Sequence, residues 1–255
     1  MNTETSGANG FPAKLPEAEE ALVEKSFEQK GIITTVNKIP IQRADFRRLK
    51  PGKWLNDELI NAYMQLIQTR ADSASRPYDF GFRISPLRPT EFKHNILCLS
   101  SFVIQKLIAL GYAEGKLRSW TKNHNIFSLD RLLFPINHSN VHWTAASINF
   151  VEKRIESYDS SDNTYHARFK ILRQYLDAEH WDKRFQPFDF EGWTNYTHPN
   201  QPLQNNGCDC GVFTCVTLEA LARGEDDLIF DQSNMPYFRK RMGFEILNGA
   251  LKIDG

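Results

Sequence analysis

The sequence predicts an α+β fold, a central mixed sheet flanked by helices. Three observations carry that expectation. Apolar residues recur at helical spacing in several long segments, as in Leu59, Ile60, Tyr63, Met64, Leu66 and Ile67. Two β-rich runs, residues 140–150 and 154–159, are joined by the polar connection Val151-Glu152-Lys153 and read as a hairpin. No internal repeat recurs at a fixed period, which argues against a solenoid.

The elements follow in chain order. Residues 1–16 are rich in Gly, Pro, Ser and Thr and are expected to be disordered, leaving residues 17–255 as a single domain. A charged helix with few apolar anchors is expected over 17–30, then a short strand over 32–36. A helix over 56–70 follows, capped by Asn56 or Asp57. Residues 72–89 read as a loop. Residues 96–99 read either as a strand or as the start of a helix over 101–110, and a polar link leads to a strand over 131–136. Beyond the hairpin come a helix over 167–179, a strand or loop over 188–197, a helix over 212–223 that Gly224 stops, and a last helix over 236–251.

Composition narrows the function. With 255 residues, 41% of them hydrophobic, the chain can bury one sizeable core. Thirty-one basic and 31 acidic residues give zero formal net charge, so no long-range field points to nucleic acid, and Arg239-Lys240-Arg241 is too short a run to argue otherwise. No apolar run approaches the ~20 residues of a membrane span, and the polar start lacks the basic and apolar regions of a signal peptide. Four cysteines without a framework spacing fit a reducing, intracellular compartment.

The chemistry concentrates in Gln204-Asn205-Asn206-Gly207-Cys208-Asp209-Cys210-Gly211, a glycine-flanked turn immediately before an apolar helix. Cys210 falls at that helix's N-terminus, where the macrodipole and unpaired backbone N–H groups favour a thiolate. Cys208 falls in the loop, while Cys98 and Cys215 lie in apolar runs as small buried hydrophobes. His142, near the start of one hairpin strand, and Asp159, at the end of the next, come to the same end of the hairpin. Contact between them requires Asp159 to sit at the frayed end of its strand. Singly, His142 reads as a structural histidine and Asp159 as a turn former. With Cys210 they compose a set in which His takes the thiol proton, Asp fixes the tautomer and the thiolate attacks a carbonyl. Gln204 supplies a side-chain amide able to serve an oxyanion beside the Cys210 N–H.

The order Trp54-Leu55-Asn56-Asp57, Ser119-Trp120-Thr121-Lys122, Val141-His142-Trp143, Ser157-Tyr158-Asp159-Ser160, the Gln204–Gly211 motif and Met235 to Met242 resembles the ubiquitin-like-protein-specific cysteine proteases, the Ulp and sentrin-specific (SUMO) protease family. The likeness covers residues 27–251. It implies a papain-like, adenain-type cysteine protease fold and cleavage after the C-terminal diglycine of SUMO, either in an isopeptide linkage to a lysine or in a precursor tail. It implies Cys210 as nucleophile, His142 as base and later acid, Asp159 as orienting carboxylate and Gln204 as oxyanion amide. Trp54 and Trp143 would cover a tunnel that admits glycine by excluding larger side chains, and Asp57 would meet an arginine of the ubiquitin-like partner. No cofactor or metal is implied, the expected partner is SUMO or a related modifier with its conjugates, and the chain is expected to be a monomer. The resemblance places it in the nucleus, the nuclear envelope included, with the cytoplasm as an alternative.

Two departures from the family pattern stand out: Cys208 is an unusual second thiol beside the nucleophile, and Ala44 replaces a basic residue before Asp45-Phe46. Other readings are a protease for a different modifier, such as that of cullins, or a module that binds SUMO without cleaving it. A metal site on Cys208, Cys210 and His198 ranks last, because it lacks a second cysteine pair and would consume the nucleophile.

Overall fold

A five-stranded sheet with helices on both faces, preceded by a separate hairpin, assembles from these elements. The computed structural model describes residues 8–75, 95–163 and 166–252. From the N-terminal side, α1 (Glu17–Ser26) leads to β1 (Ile32–Val36), β2 (Ile39–Gln42), the short α2 (Arg43–Phe46) and the long α3 (Asp57–Ser75). Then come β3 (Ile96–Cys98), α4 (Phe102–Glu114, broken at Gly111), α5 (Arg118–Thr121), β4 (Arg131–His138), β5 (His142–Asn149) and β6 (Arg154–Tyr158). The chain continues through α6 (His166–Arg184), β7 (Thr194–Thr197), α7 (Cys210–Arg223) and α8 (Met235–Asn248).

The sheet order is β3-β4-β5-β6-β7, antiparallel in its three central strands and parallel at both outer pairs, which is the mixed sheet expected. Its central strands are apolar on both faces. Leu133, Ala145 and Tyr158 join one core with α3, α7 and α8, whereas Leu132, Phe134, Ala146, Ile148 and Ile155 join another with α4 and α6. Period-two alternation explains the split.

Helix α7 is buried along its length, from Cys210 to Ala222, as its nearly all-round apolar surface predicts. It packs against α3, α8, β4 and β5. Its start is pressed against the chain before α3: a Cβ on Gly211 would lie 2.9 Å from Leu55 Cβ, so any larger residue there must displace Leu55.

Several boundaries differ from the sequence expectation for local reasons. β2 was not expected; it contains Pro40 and pairs with β1 through Asn37-Lys38, whose φ values of 44° and 72° suit a two-residue hairpin turn. Residues 72–75 extend α3 instead of opening a loop, and the remainder of the loop expected to residue 89 lies outside the described residues. The ambiguous 96–99 segment is a strand, with the following helix separate from it. Ala8–Gly10 form a 3-10 turn whose Asn9 amide donates to Asn234 Oδ1 at 3.1 Å, and the Phe11 ring meets Phe238 edge-on at 4.9 Å. Residues 1–7 and 253–255 lie outside the described residues. Among the described residues no helix is long and apolar enough to cross a membrane.

Candidate active site

Asp209 caps α7 by position and Cys210 is its first helical residue, 3% exposed. The cap carboxylate does not bond the helix; it turns to Arg239, Asn206 and Gln232. Burial alone would raise the Asp209 pKa, but those hydrogen bonds and the Arg239 charge hold it below the usual carboxylate value. The negative charge beside Cys210 is thereby matched by a cation and does not oppose a sulfur anion.

The hairpin delivers the other two groups. Ala145 pairs with Tyr158, so the register carried one residue further sets Asp159 opposite Thr144 and diagonal to His142. β6 ends at Tyr158, and Asp159, just past it, closes the diagonal. His142 Nε2 donates to Asp159 Oδ1 at 2.7 Å, since a carboxylate can only accept. Ser161 N–H donates to the same oxygen at 2.9 Å. Cys210 makes a side-chain hydrogen bond to the same imidazole, and with Nε2 committed to Asp159 the ring offers it Nδ1. The Asp159 bond, and after it the Cys210 bond, raise the His142 pKa from 6.5 to about 9 against the effect of burial. Asp159 is shifted the other way: burial would raise it, but His142, Ser161 N–H and Arg168 together hold it below its ordinary value.

Gln204 is tied to the end of β6, its N–H donating to Ser160 O at 2.8 Å and its Oε1 accepting from Ser160 Oγ at 2.9 Å. Its Nε2 donates one hydrogen to Asn206 O at 2.6 Å, and an amide nitrogen carries two.

Above Cys210 lies a cleft of about 210 Å³ whose lining includes Trp54, Leu55, Asp57, Val141, Trp143 and Arg48. Trp143 is buried and its indole N–H donates to Leu55 O at 3.1 Å. Trp54 is 44% exposed, and its indole N–H reaches Gly207 O at 2.5 Å, binding one wall to the loop before Cys210. Asp57, at the start of α3, accepts from Ser101 Oγ at 2.7 Å, while Asn56 Oδ1 caps the helix at Leu59 N–H. Cys208 stays in the loop, half-buried, its thiol donating to Asn206 Oδ1 at 3.2 Å; burial and Asp209 raise its pKa. Burial pushes Cys98 up to about 12 and Cys215 higher.

Of the seven residues expected at the site, Cys210, Trp54, Trp143 and Asp57 line one cleft, His142 and Asp159 bond each other at the end of the hairpin, and Gln204 lies on the loop before Cys210. Sequence reasoning missed their supports. Arg239, 3% exposed, donates to Asp209 from two nitrogens and to the carbonyls of Arg48, Lys50, Lys53 and Cys208, joining the Trp54 segment to the loop before Cys210. Gln201 Oε1 accepts from Asp159 N–H at 2.9 Å, and Arg168 pairs with Asp159 Oδ2. The available signal was a charge on an apolar stripe: Arg168, Leu172, Tyr175 and Glu179 share the buried face of α6, and Arg239 lies among Tyr237, Phe238 and Met242.

A helix-start cysteine, an imidazole and a carboxylate in sequence beneath an indole-walled cleft define a thiol-peptidase architecture. Residues 53–251 match the Ulp1 protease family, C-terminal catalytic domain, and the chain belongs to that family. It is 36% identical over 240 residues to a Caenorhabditis elegans sentrin-specific protease, covering 93% of this chain and 32% of the relative. It is 34% identical over 245 residues to the Arabidopsis thaliana ubiquitin-like-specific protease 1A, covering 91% and 45%. The fold superposes on the C-terminal Ulp1 protease domain solved in complex with Smt3, the yeast ortholog of SUMO, with a TM-score of 0.74 and 26% identity over 94% of this chain and 98% of that one. The chain spans about a third of the length of the animal relatives it matches.

Proposed function

We propose that this chain is a SUMO-specific cysteine protease domain, spanning residues 17–255 as one unit, that cleaves after a C-terminal diglycine to release SUMO from lysines or from a precursor tail. The observation that carries the reading is Cys210 at a cleft walled by Trp54 and Trp143, with His142 beside it and Asp159 bonded to His142. Its relatives bear sentrin-specific names, and the yeast neighbour was solved with a SUMO ortholog bound.

Attack on a carbonyl requires the thiolate form of Cys210. An imidazolium at His142 is the counter-ion that form needs, and its raised pKa keeps the ring protonated at neutral pH. The thiolate adds to the scissile carbonyl, and the negative charge moves to oxygen, where the Cys210 N–H and the second Gln204 amide hydrogen receive it. His142 gives its proton to the leaving lysine amine as the tetrahedral intermediate collapses to a thioester. The neutral ring then draws a proton from water, whose attack on the thioester expels the thiolate and frees the SUMO carboxyl group, which loses its proton to solvent, so the thiolate–imidazolium pair is restored. Trp54 and Trp143 enclose residues without side chains, which makes glycine the selected pair ahead of the cut. Asp57, on the same wall, offers a carboxylate to a basic side chain of the modifier. We place this work in the nucleus or at its envelope, following the family.

The test is reaction with SUMO carrying a C-terminal electrophile, beside the ubiquitin and cullin-modifier versions. A covalent adduct with the SUMO probe, lost in Cys210→Ser and retained in Cys208→Ser, supports the reading. Adducts only with another modifier move the substrate, and no adduct from a folded protein overturns catalysis in favour of a binding module.

A further inference from the structure

We propose that Arg168 is a positioning residue of the catalytic set: its guanidinium, coming from α6, fixes the second oxygen of Asp159 and tempers the basicity of His142. The inference rests on the functional reading above.

Geometry comes first. Asp159 divides its oxygens between two duties, Oδ1 accepting from His142 and Ser161 N–H while Oδ2 pairs with Arg168 Nη2. A carboxylate gripped at one oxygen swings about its terminal torsion, which is broad and soft. Gripped at both oxygens from different elements, it presents Oδ1 to the imidazole in one direction, and the ring orientation follows. Arg168 is itself immobilised: it is 4% exposed, and Nη1 donates to Ser157 Oγ at 3.3 Å and to Asn163 O at 3.2 Å. The guanidinium therefore links β6, the turn after it and α6 around one carboxylate.

Charge comes second. The groups facing His142 are Asp159 just past the end of β6, Cys210 at the start of α7 and His138 across the β4–β5 pair, with the neutral Ser161 hydroxyl 3.4 Å from Nε2, and Arg168 from α6 stands behind Asp159 on its other oxygen. Asp159 and a Cys210 thiolate favour the imidazolium. His138, stacked 6.2 Å from His142, is held neutral at neutral pH, its pKa pushed down to about 4 by burial and then by the Arg168 and His142 charges. Arg168 opposes the imidazolium through the shared carboxylate. An acid that must hand its proton to a leaving amine works better when it does not hold that proton too tightly. Arg168 thus offsets part of what Asp159 does, without giving up the orientation Asp159 supplies.

The test compares Arg168→Gln, which keeps donors and loses charge, with Arg168→Lys, which keeps charge and loses the fork. The readouts are the pH profile of cleavage of a fluorogenic C-terminal SUMO amide and the His142 pKa from imidazole NMR. In Arg168→Gln we expect kcat to fall about tenfold with KM within about twofold, while the alkaline limb and the NMR pKa both move up by about half a unit to one unit. Arg168→Lys should leave the limb in place and recover part of kcat. A folded Arg168→Gln protein with wild-type kcat and an unmoved or lowered pKa overturns the proposal. If Arg168→Gln does not fold, wild-type kcat in Arg168→Lys overturns it. Should wild type cleave no modifier, the functional reading fails by itself, and the NMR titration still reports whether Arg168 sets the His142 pKa.

Discussion

Replacing Arg239 by methionine tests how the two walls of the cleft are held together. The change keeps the volume of the stem and removes every donor. Asp209, 5% exposed, would keep only Asn206 and Gln232 as partners. Stranding one member of a buried ion pair costs about 3–5 kcal/mol, and the two remaining amide donors place this case near 3. The carbonyls of Arg48, Lys50, Lys53 and Cys208 lose donors as well. At roughly 1 kcal/mol for each bond, halved because water reaches this partly exposed segment, they add about 2 kcal/mol. The total of about 5 kcal/mol corresponds to a fall in Tm of about 10–20 °C in a chain of this size. Urea unfolding reads the change directly as a lower midpoint at constant slope. Arg239→Lys, which retains the charge, should lose about half as much. Cleavage should fall further than stability implies, because Trp54 is positioned by the same segment. An Arg239→Met protein within about 1 kcal/mol of wild type, or an Asp209–Arg239 double-mutant cycle without measurable coupling, would refute the reasoning.

Other expectations follow from the same site. His142 holds its proton more tightly when folded, at about 9, than unfolded, so that contribution to stability is complete below about pH 6.5 and lost as pH rises through about 9. The alkaline limb of kcat/KM should lie near pH 9, and Asp159→Asn should lower it by about one unit, read from pH–rate profiles. Gly211→Ala places a methyl 2.9 Å from Leu55 Cβ, which should cost about 1–3 kcal/mol in urea unfolding and cut probe labelling by displacing the Trp54 wall. Iodoacetamide should modify Cys210 at least about tenfold faster than Cys208, as mass spectrometry reads it, and spare Cys98 and Cys215 until the chain unfolds, because burial holds both in the thiol form.

The parts of the fold that could be read in advance are those where a single periodicity dominates. Helix α7 declared itself through its apolar circumference and Gly224, which closes it at a φ of 80°. The hairpin that carries His142 and Asp159 was legible from β-branched content and a polar turn, and contact required the frayed strand end that the structure has. β2 was hidden because four residues with a proline give too little alternation to count. The trio of Cys210, His142 and Asp159 follows local rules: a helix start, a strand start and a strand end. Its supports do not. Arg168 and Arg239 are charges on otherwise largely apolar buried helical faces, and nothing local says which carboxylate or carbonyls each will meet across the fold. Only closure of the tertiary structure supplies that.

The distances in sequence across the cleft bear on when this chain could begin to work. The indole of Trp54 meets a carbonyl 153 residues further on, and Arg239 joins Arg48 across 191. A growing chain on the ribosome passes Trp54, then His142 and Asp159, well before Cys210 exists, and the clamp at Arg239 emerges later still. Such long loops close slowly and late. The cleft is therefore clamped only once Arg239 has emerged, and a fragment stopping between Cys210 and Arg239 would hold all the reactive groups with the vise that aligns them left open.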